Sequence, residues 1–292
     1  MVYIRSKKVK GIHYAYLVKS EWDQNRGSAV QHTIKYLGRA DSVAISDIPQ
    51  EYRNDTKILS FLSSHSSKNL AKKESLLEKL RAELFEALCS ADRETAMKIA
   101  TKYKTLFSLA EFYEDLLSPV MYRVGDLWSQ GRISIATEHV CSNIAGSLIQ
   151  SINEGNGPKA GKAKITVLIC SPDGEMHHLA PDVLESFLLQ KGYAVYNTSP
   201  SAPAESIVSS ITASNPQVIM ISVTLQENLG AAKRLVIKIR EDFQIPIILG
   251  GTAIKRLKEG QRKELEKTKV SLVPEISLEK ILISVKTAAS AA

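Results

Sequence analysis

Short apolar runs alternate with longer segments of helical periodicity from residue 165 to the end of the chain. Runs of this length predict strands buried on both faces, as in a parallel sheet that helices cover from both sides. Five such units in succession predict a flavodoxin-like α/β domain. The predicted strands are 165–170, 194–197, 218–223, 247–249 and 271–273, and the predicted helices lie at 178–191, 203–213, 227–242, 253–265 and 277–287.

The preceding segment, residues 69–152, repeats its apolar residues with a period of about 3.6, which is typical of helices packed on one face. Four apolar stripes separated by short polar breaks predict four helices, and short connections favour an antiparallel bundle. The turn-rich stretch 153–158 predicts a linker between this bundle and the α/β domain.

The first 38 residues alternate apolar and polar side chains and predict a three-stranded antiparallel sheet. The chain carries a net charge of +7, and its first forty residues hold eight Lys and Arg against two acidic residues. Basic residues interleaved with tyrosines can contact phosphates and stack on bases, so residues 1–40 are a candidate DNA-binding segment. A structural or dimerising sheet is the alternative. The basic residues are expected at the turns and on one set of alternating positions: Lys7, Lys8, Lys10, Lys19, Arg26, Lys35 and Arg39.

The serine-rich stretch 60–67 predicts a linker. The expected organisation is therefore a basic β-rich domain (1–60), a linker (61–69), a four-helix bundle (70–155) and an α/β domain (162–292).

The three cysteines lie far apart in apolar surroundings and predict reduced core residues. No apolar run approaches the roughly 18 residues of a membrane-spanning helix, and no secretory signal opens the chain, so we expect a cytoplasmic protein without membrane contact. We also expect a homo-oligomer.

Two histidines follow the first predicted strand of the α/β domain, within the stretch 171–180. The crevice at the carboxyl ends of the strands is where ligands bind in open α/β sheets. Histidine there is a candidate metal ligand, and Glu175 could orient the ring of His177. Taken alone, the stretch is equally consistent with an ordinary surface loop.

The sequence Glu175-x-His177-x-x-Ala180 resembles the Asp/Glu-x-His-x-x-Gly signature of cobalamin-binding domains, in which the histidine replaces the cofactor's own base below the cobalt. The resemblance extends along the chain, because 41 residues separate Ala180 from Ser222-Val223-Thr224 and 25 more precede Gly250-Gly251. The spacing to Glu175 selects His177 rather than His178 as the cobalt ligand, and His178 is then expected to be a surface residue at the helix start. Ala180 departs from the signature, since the family has glycine there.

This resemblance also implies roles for the other motif residues. The hydroxyls of Ser222 and Thr224 would meet the buried base, and Gly250 and Gly251 would let the nucleotide tail pass close to the backbone. Gly174 would open the turn that points His177 out of the sheet. Asp173, beside it, completes the predicted cofactor-binding loop.

In the bundle, Trp128 is followed after nine residues by Glu138-His139. This resembles the Trp-x9-Glu-His pattern in the helical cap of CarH-type light-dependent transcriptional regulators, where the cap covers the upper face of adenosylcobalamin. The resemblance implies that these three residues cover the upper face here. From the residues alone, Trp128 could equally be bundle core and the Glu-His pair an exposed helical pair. Ser129 departs from the regulators, which have histidine there, and residues 1–65 lack their MerR-type helical pattern.

The resemblance implies a cobalamin-based sensor or regulator with the basic N-terminal sheet as its output. Adenosylcobalamin is the expected form, and methylcobalamin is the other. The alternative is a corrinoid methyl carrier of a methyltransferase system, which pairs the same kind of cap and domain, and a storage or delivery protein is a third option. Nothing in the sequence resembles a nucleophile triad or a phosphate-binding loop, so we expect no turnover by the chain alone.

Overall fold

The structure is a computed structural model of the chain, which describes residues 2–9, 12–23, 28–65, 67–106, 108–153, 165–274 and 277–290. The chain divides into two compact units, Met1–Lys79 and Leu80–Ala292. The boundary falls inside a helix. The linker predicted at 153–158 lies outside the described residues except for its first position.

The first unit is built on a three-stranded antiparallel sheet in the order β1-β2-β3, as the alternation predicts. The strands are β1 (Val2–Val9), β2 (Ile12–Asp23) and β3 (Ser28–Arg39). One face of the sheet is buried through Ile4, Ala15 and Leu17, which pack with apolar residues of the segment 40–62. That segment holds two short 3-10 turns, at Ile45–Asp47 and Gln50–Tyr52, and begins the helix α1 (Thr56–His65).

The basic residues of this sheet do not share one face, contrary to the sequence-based expectation. Lys7 pairs across β1 and β2 with Tyr14, whereas the next residue, Lys8, pairs with His13. Because successive strand residues point to opposite faces, Lys7 lies on the face of the tyrosines and Lys8 on the other. Lys35 pairs with Leu17, and Lys19 lies on the same face as Leu17. Arg39 pairs with Tyr14 and therefore lies on the face of the tyrosines. Lys10 and Arg26 lie outside the described residues.

The stretch predicted as a linker is helical on both sides of Ser66, which lies outside the described residues. Helix α1 ends at His65, and α2 (Ser67–Cys89) begins two residues later. Serine has a middling helix propensity and does not stop a helix by itself. Phe61 and Leu62 at the end of α1 pack against the apolar core of the first unit. Burial of these side chains therefore outweighs the polar composition on which the linker prediction was based.

The bundle contains the four helical segments that the periodicity predicts. They are α2, α3 (Arg93–Leu106), a third segment made of α4 (Leu109–Glu111), a π-helical stretch (Phe112–Leu117) and α5 (Ser118–Ser129), and α6 (Ile135–Asn153). The π-helical stretch has an identifiable cause in Pro119, which lacks the N–H that an α-helix would direct to the Asp115 carbonyl. Arg81 Nε donates to that carbonyl instead, at 2.6 Å.

The rest of the second unit is the predicted α/β domain, with a five-stranded parallel sheet in the order β5-β4-β6-β7-β8. The strands are β4 (Thr166–Cys170), β5 (Ala194–Asn197), β6 (Val218–Ser222), β7 (Ile247–Gly250) and β8 (Ser271–Val273). The helices are α7 (Leu179–Gln190), α8 (Ala204–Ser214), α9 (Leu229–Asp242), α10 (Thr252–Lys255), α11 (Glu259–Glu266) and α12 (Leu278–Ser290). This is the flavodoxin-like architecture expected from the sequence.

The helix predicted at 253–265 is divided into α10 and α11, and the second begins where Gln261 Oε1 accepts the N–H of Lys258 at 2.9 Å. All three cysteines are free thiols; Cys141 and Cys170 are buried, while Cys89 is partly exposed. Among the helices that the structure describes, none is long and apolar enough to cross a membrane.

Candidate functional site

The predicted ligand loop connects β4 to α7 and lies beside the carboxyl end of β6. Strand order places the reversal of the sheet at β4, with β5 on one side and β6 on the other, which is the position where ligands bind in this architecture. The loop starts buried at Ser171 and emerges at Asp173, which is exposed. It then turns back to bury the Glu175 side chain completely, with no exposed surface.

Glu175 is the most constrained polar group of the site. Its Oε2 accepts hydrogen bonds from the backbone N–H groups of Thr224 (2.8 Å) and Leu225 (3.1 Å) and from Asn228 Nδ2 (3.0 Å). Its Oε1 lies 2.6 Å from His177 Nδ1 and also accepts the His177 backbone N–H at 3.3 Å. Burial by itself raises the pKa of this carboxyl, but these hydrogen bonds together lower it to about 2. Glu175 is therefore a fixed, ionised acceptor.

His177 is held by this carboxylate at one ring nitrogen only. Its side chain is 47% exposed, so the ring projects from the loop while Nδ1 stays on Glu175. The hydrogen bond to Glu175 raises the pKa of His177, and burial opposes this effect. With the Nδ1 proton directed to a carboxylate, Nε2 is the ring nitrogen that can bind a metal, which is the arrangement of many metal-bound histidines. A donor set of one imidazole suits a metal whose remaining ligands come from a cofactor.

His178 is not the simple surface residue expected from the sequence. It is the residue that precedes the first turn of α7, and its Nδ1 lies 2.7 Å from Asp182 Oδ2. Its ring packs against the bundle, since a Cβ built on Gly146 of α6 would lie 3.6 Å from His178 Cε1. The hydrogen bond to Asp182 raises the pKa of His178. His178 therefore belongs to the contact between the bundle and the α/β domain.

The turn before Glu175 depends on Gly174, which has a positive φ of 84°. Its N–H donates to Ser201 Oγ at 2.9 Å, and a Cβ there would come within 3.4 Å of Asn228 Oδ1. The Glu175 carbonyl in turn accepts the Ser201 N–H at 2.9 Å. Loop 198–203 therefore contacts the ligand loop from the side of β5, and Gly174 forms the turn that precedes Glu175.

The serine, threonine and glycine motifs meet at the ends of β6 and β7. Ser222 pairs with Gly250, and both are partly buried. Gly251 has a φ of 109°, and a Cβ there would lie 2.3 Å from the Val223 carbonyl oxygen, so only glycine fits. At Gly250, by contrast, the nearest contact of a Cβ would be 3.6 Å, which is ordinary packing. The chain itself thus requires Gly251, while the space at Gly250 would accept a methyl group in ordinary van der Waals contact.

Asn228 is a member of the site that the sequence analysis missed. It is buried, at 9% exposure, and joins Gly174 and Glu175 through its side-chain amide. It precedes α9 at the cap position, where asparagine is common for reasons unrelated to a site. Its position six residues after Ser222, in a loop already assigned to the site, could have indicated that it belongs there.

The bundle residues of the predicted upper face lie on α5 and α6. Trp128 is 44% exposed, so it is not a core residue of the bundle. Glu138 is partly buried and accepts a hydrogen bond from Ser142 Oγ at 2.6 Å, whereas His139 is exposed. The Glu138 carboxylate is close enough to contribute to the raised pKa values of both His177 and His178. The negative charge of Glu138 thus acts on both histidines of the ligand loop.

Two hydrogen bonds fasten the bundle to the α/β domain at the π-helical stretch. Tyr113 OH lies 2.6 Å from Ser186 Oγ of α7, and both side chains are buried. The neighbouring Glu114 accepts the Leu278 N–H at the start of α12 at 2.6 Å. A π-helical turn widens the helix locally and so presents two consecutive side chains to two different helices.

Two family models match the chain. Each is described as a B12 binding domain; one matches residues 80–151 and the other residues 165–264. The first coincides with the bundle and the second with most of the α/β domain. The chain therefore carries cobalamin-binding domains, and cobalamin is its cofactor.

Individual relatives are distant. The dimethylamine corrinoid protein 2 of Methanosarcina mazei is 19% identical over 178 residues, which cover 60% of this chain and 83% of that protein. The HTH-type transcriptional repressor CarH of Myxococcus xanthus is 22% identical over 143 residues, which cover 48% of this chain and 47% of the repressor. Among solved structures, the Methanosarcina barkeri monomethylamine corrinoid protein superposes with a TM-score of 0.59 at 12% identity, covering 72% of this chain and 99% of that one. This likeness shows the same fold.

Proposed function

We propose that this chain is a corrinoid carrier protein that binds cobalamin through His177 and presents it to a methyltransferase. The observation that supports this most is the buried Glu175 carboxylate, which is fixed by four partners and directs the Nδ1 proton of a half-exposed histidine. A buried charge is costly, and apolar side chains would stabilise the core at least as well as this pair. It is well suited to holding a metal at Nε2.

The surrounding residues fit a cobalamin. Gly250 ends β7 and Gly251 follows it, both without side chains, and Ser222 and Thr224 lie at the end of β6 beside them. When bound, cobalamin supplies a cobalt atom that can take up and release a methyl group. The chain's own part is to keep the His177 ring in one orientation, to hold its Nδ1 proton against Glu175 Oε1 and to shield the lower face from water. Asp173 and Gly174 form the rim of this lower site.

The carrier function is favoured over a regulator by the extent of the similarity. The match to the dimethylamine corrinoid protein reaches 83% of that protein, whereas the match to CarH reaches about half of the repressor. A carrier has no chemistry of its own, so we expect no turnover by the purified chain alone. Its partner would be an enzyme that approaches the surface around Trp128, which is 44% exposed.

Methyl transfer tests the carrier function directly. The full chain would be loaded with cobalamin, reduced, methylated with methyl iodide, freed of the excess reagent, and mixed with a thiol methyltransferase and homocysteine. A carrier yields up to one methylated thiol per bound cobalamin in each round of methylation, and His177→Ala abolishes the yield at equal protein concentration. Retention of cobalamin without any transfer of the methyl group would contradict the carrier function.

The second candidate is a cobalamin-based sensor that responds to light or to the upper ligand of the cofactor. The specific observation in its favour is that Glu138 influences His177 from the bundle, with Trp128 half-exposed at the end of α5. Adenosylcobalamin bound beneath these residues would contact them, and its loss would change the packing of the bundle. The output would be the basic N-terminal sheet, with DNA as the proposed partner.

Illumination separates the two candidates. The protein would be loaded with adenosylcobalamin in the dark, and its size and its mobility with DNA would be measured before and after light. A sensor changes at least one of these properties, and Trp128→Ala reduces the change. A carrier shows photolysis of the cofactor in the absorption spectrum with neither property altered.

A further inference from the structure

The face of the N-terminal sheet opposite to that of Leu17 carries a row of tyrosines that contributes nothing to the apolar core of the first unit. The ring centroids of Tyr16 and Tyr36 lie 5.2 Å apart, and those of Tyr14 and Tyr36 lie 6.4 Å apart. Tyr36 is 53% exposed. Together with Tyr3, which accepts a hydrogen bond from Gln31 Nε2 at 2.7 Å, these side chains form what we call the tyrosine face.

Register places positive charge on the same face. Arg5 pairs across β1 and β2 with Tyr16, and Lys7 pairs with Tyr14, so both cations flank the aromatic row. Arg5 is additionally oriented by Gln31, whose Oε1 accepts from Nη1 at 3.0 Å. Arg39 is also on this face, but its guanidinium is paired with Asp41 at 2.8 Å and adds little charge.

The acidic side chains of the described strands do not lie on the tyrosine face. Glu21 is on the opposite face, where it forms an ion pair with Lys19 at 2.5 Å. The tyrosine face therefore offers the exposed ring of Tyr36 and the partly exposed rings of Tyr14 and Tyr16 beside cations, without an acidic side chain between them in the described strands. This combination is complementary to a ligand that has both planar rings and a negatively charged backbone.

We propose that the tyrosine face binds single-stranded nucleic acid. Aromatic side chains on an open sheet can stack on unpaired bases, while Arg5 and Lys7 contact the phosphates between them. A duplex keeps its bases stacked and paired, so its bases would not reach the rings of Tyr16 and Tyr36. The inference is independent of cobalamin binding, because its residues all belong to the first unit.

Fluorescence anisotropy with the full chain tests the proposal. The probes are three labelled 12-nucleotide ligands of the same sequence: single-stranded RNA, single-stranded DNA and duplex DNA. We expect binding of a single strand that is at least tenfold tighter than binding of the duplex, and the comparison of RNA with DNA identifies the source. Equal or tighter binding of the duplex, or no binding of any probe at 50 mM salt, would overturn the proposal.

Lys7 and Lys8 provide a matched pair, since they are adjacent, exposed and on opposite faces. Lys7→Ala should weaken single-strand binding severalfold and reduce the slope of log affinity against log salt by about 0.7, whereas Lys8→Ala should change neither. Tyr36→Ala should weaken binding about tenfold, and Tyr36→Phe should restore it because stacking needs the ring alone. Equal effects of the two lysine variants would contradict the assignment to this face, even if Tyr36→Ala does not fold.

Discussion

Glu175 Oε1 and His177 Nδ1 lie 2.6 Å apart, and the carboxylate is fully buried while the imidazole is half-exposed. The carboxylate of the pair is thus fixed inside the protein, and the imidazole reaches the surface, where it can bind a ligand. The rigidity comes from the other oxygen of Glu175, which three donors hold in place. The direction of the Nε2 lone pair is therefore set before any ligand arrives, which lowers the cost of binding a metal there.

Replacement of Glu175 by glutamine should weaken cobalamin binding by 10- to 100-fold, the usual effect of losing a partner behind a metal-bound histidine. The amide has the same shape, but its NH2 group must face either the Nδ1–H of His177 or the N–H groups of Thr224 and Leu225. Titration of the protein with cobalamin, followed by absorption, measures the change. Glu227→Gln, on a neighbouring exposed side chain, is the matched control and should bind as the wild type does. Unchanged affinity in Glu175→Gln would contradict the role given to the carboxylate.

Asn228→Asp should destabilise the protein more than Asn228→Ala does. Alanine removes one donor from a buried carboxylate, at a cost of about 1–3 kcal/mol in the free energy of unfolding. Aspartate places a second carboxylate at the position from which Nδ2 donates to Glu175 at 3.0 Å, so two negative charges meet without water. Urea denaturation of the two variants gives the order of stability, and an Asn228→Asp protein as stable as the wild type would refute this account of the site.

The two adjacent glycines at the end of β7 should respond differently to alanine. At Gly251, the positive φ and the 2.3 Å approach to the Val223 carbonyl predict strain of about 1–3 kcal/mol plus the cost of moving a strand end. Gly250→Ala should keep its stability within about 1 kcal/mol but should lose affinity for cobalamin, because its methyl group would occupy the proposed path of the nucleotide tail. Thermal unfolding without cofactor and cobalamin titration separate the two effects. Normal cobalamin affinity in Gly250→Ala would remove this glycine from the site.

Tyr113 and Ser186 should be energetically coupled. The two hydroxyls are buried and 2.6 Å apart, so removal of either leaves the other without its partner in that bond. Tyr113→Phe and Ser186→Ala should each cost about 1 kcal/mol, and the double variant should cost less than the sum. Chemical denaturation of the three variants completes the cycle. Strict additivity would show that this bond does not fasten the bundle to the α/β domain.

Much of this architecture could be predicted from the sequence because its apolar periods are unambiguous. Short apolar runs such as 165–170 predict strands, and the spacing of 41 residues from Ala180 to Ser222 fits motifs that each lie near the end of one of these strands. The errors arose where composition was used in place of packing. The serines of 60–67 suggested a linker, yet Phe61 and Leu62 pack against a core and the described residues on both sides of Ser66 are helical.

Other features depend on contacts between residues that are distant in the chain. Asn228 became visible as part of the site only through its bond to Glu175, and His178 only through its packing on Gly146. The faces of the N-terminal sheet required the register of β1 and β2, since Lys7 and Lys8 are equivalent in composition. The π-helical stretch needed both Pro119 and the side chain of Arg81 to be explained.

The central claim is that His177 Nε2, and not His178, binds the cobalt of cobalamin. The most direct measurement is electron paramagnetic resonance of the wild-type protein loaded with cob(II)alamin, with and without 15N-labelled histidine. We predict nitrogen couplings that change on labelling, that are retained in His178→Ala and that are lost in His177→Ala. Couplings that survive unchanged in His177→Ala, or that disappear in His178→Ala alone, would contradict the account.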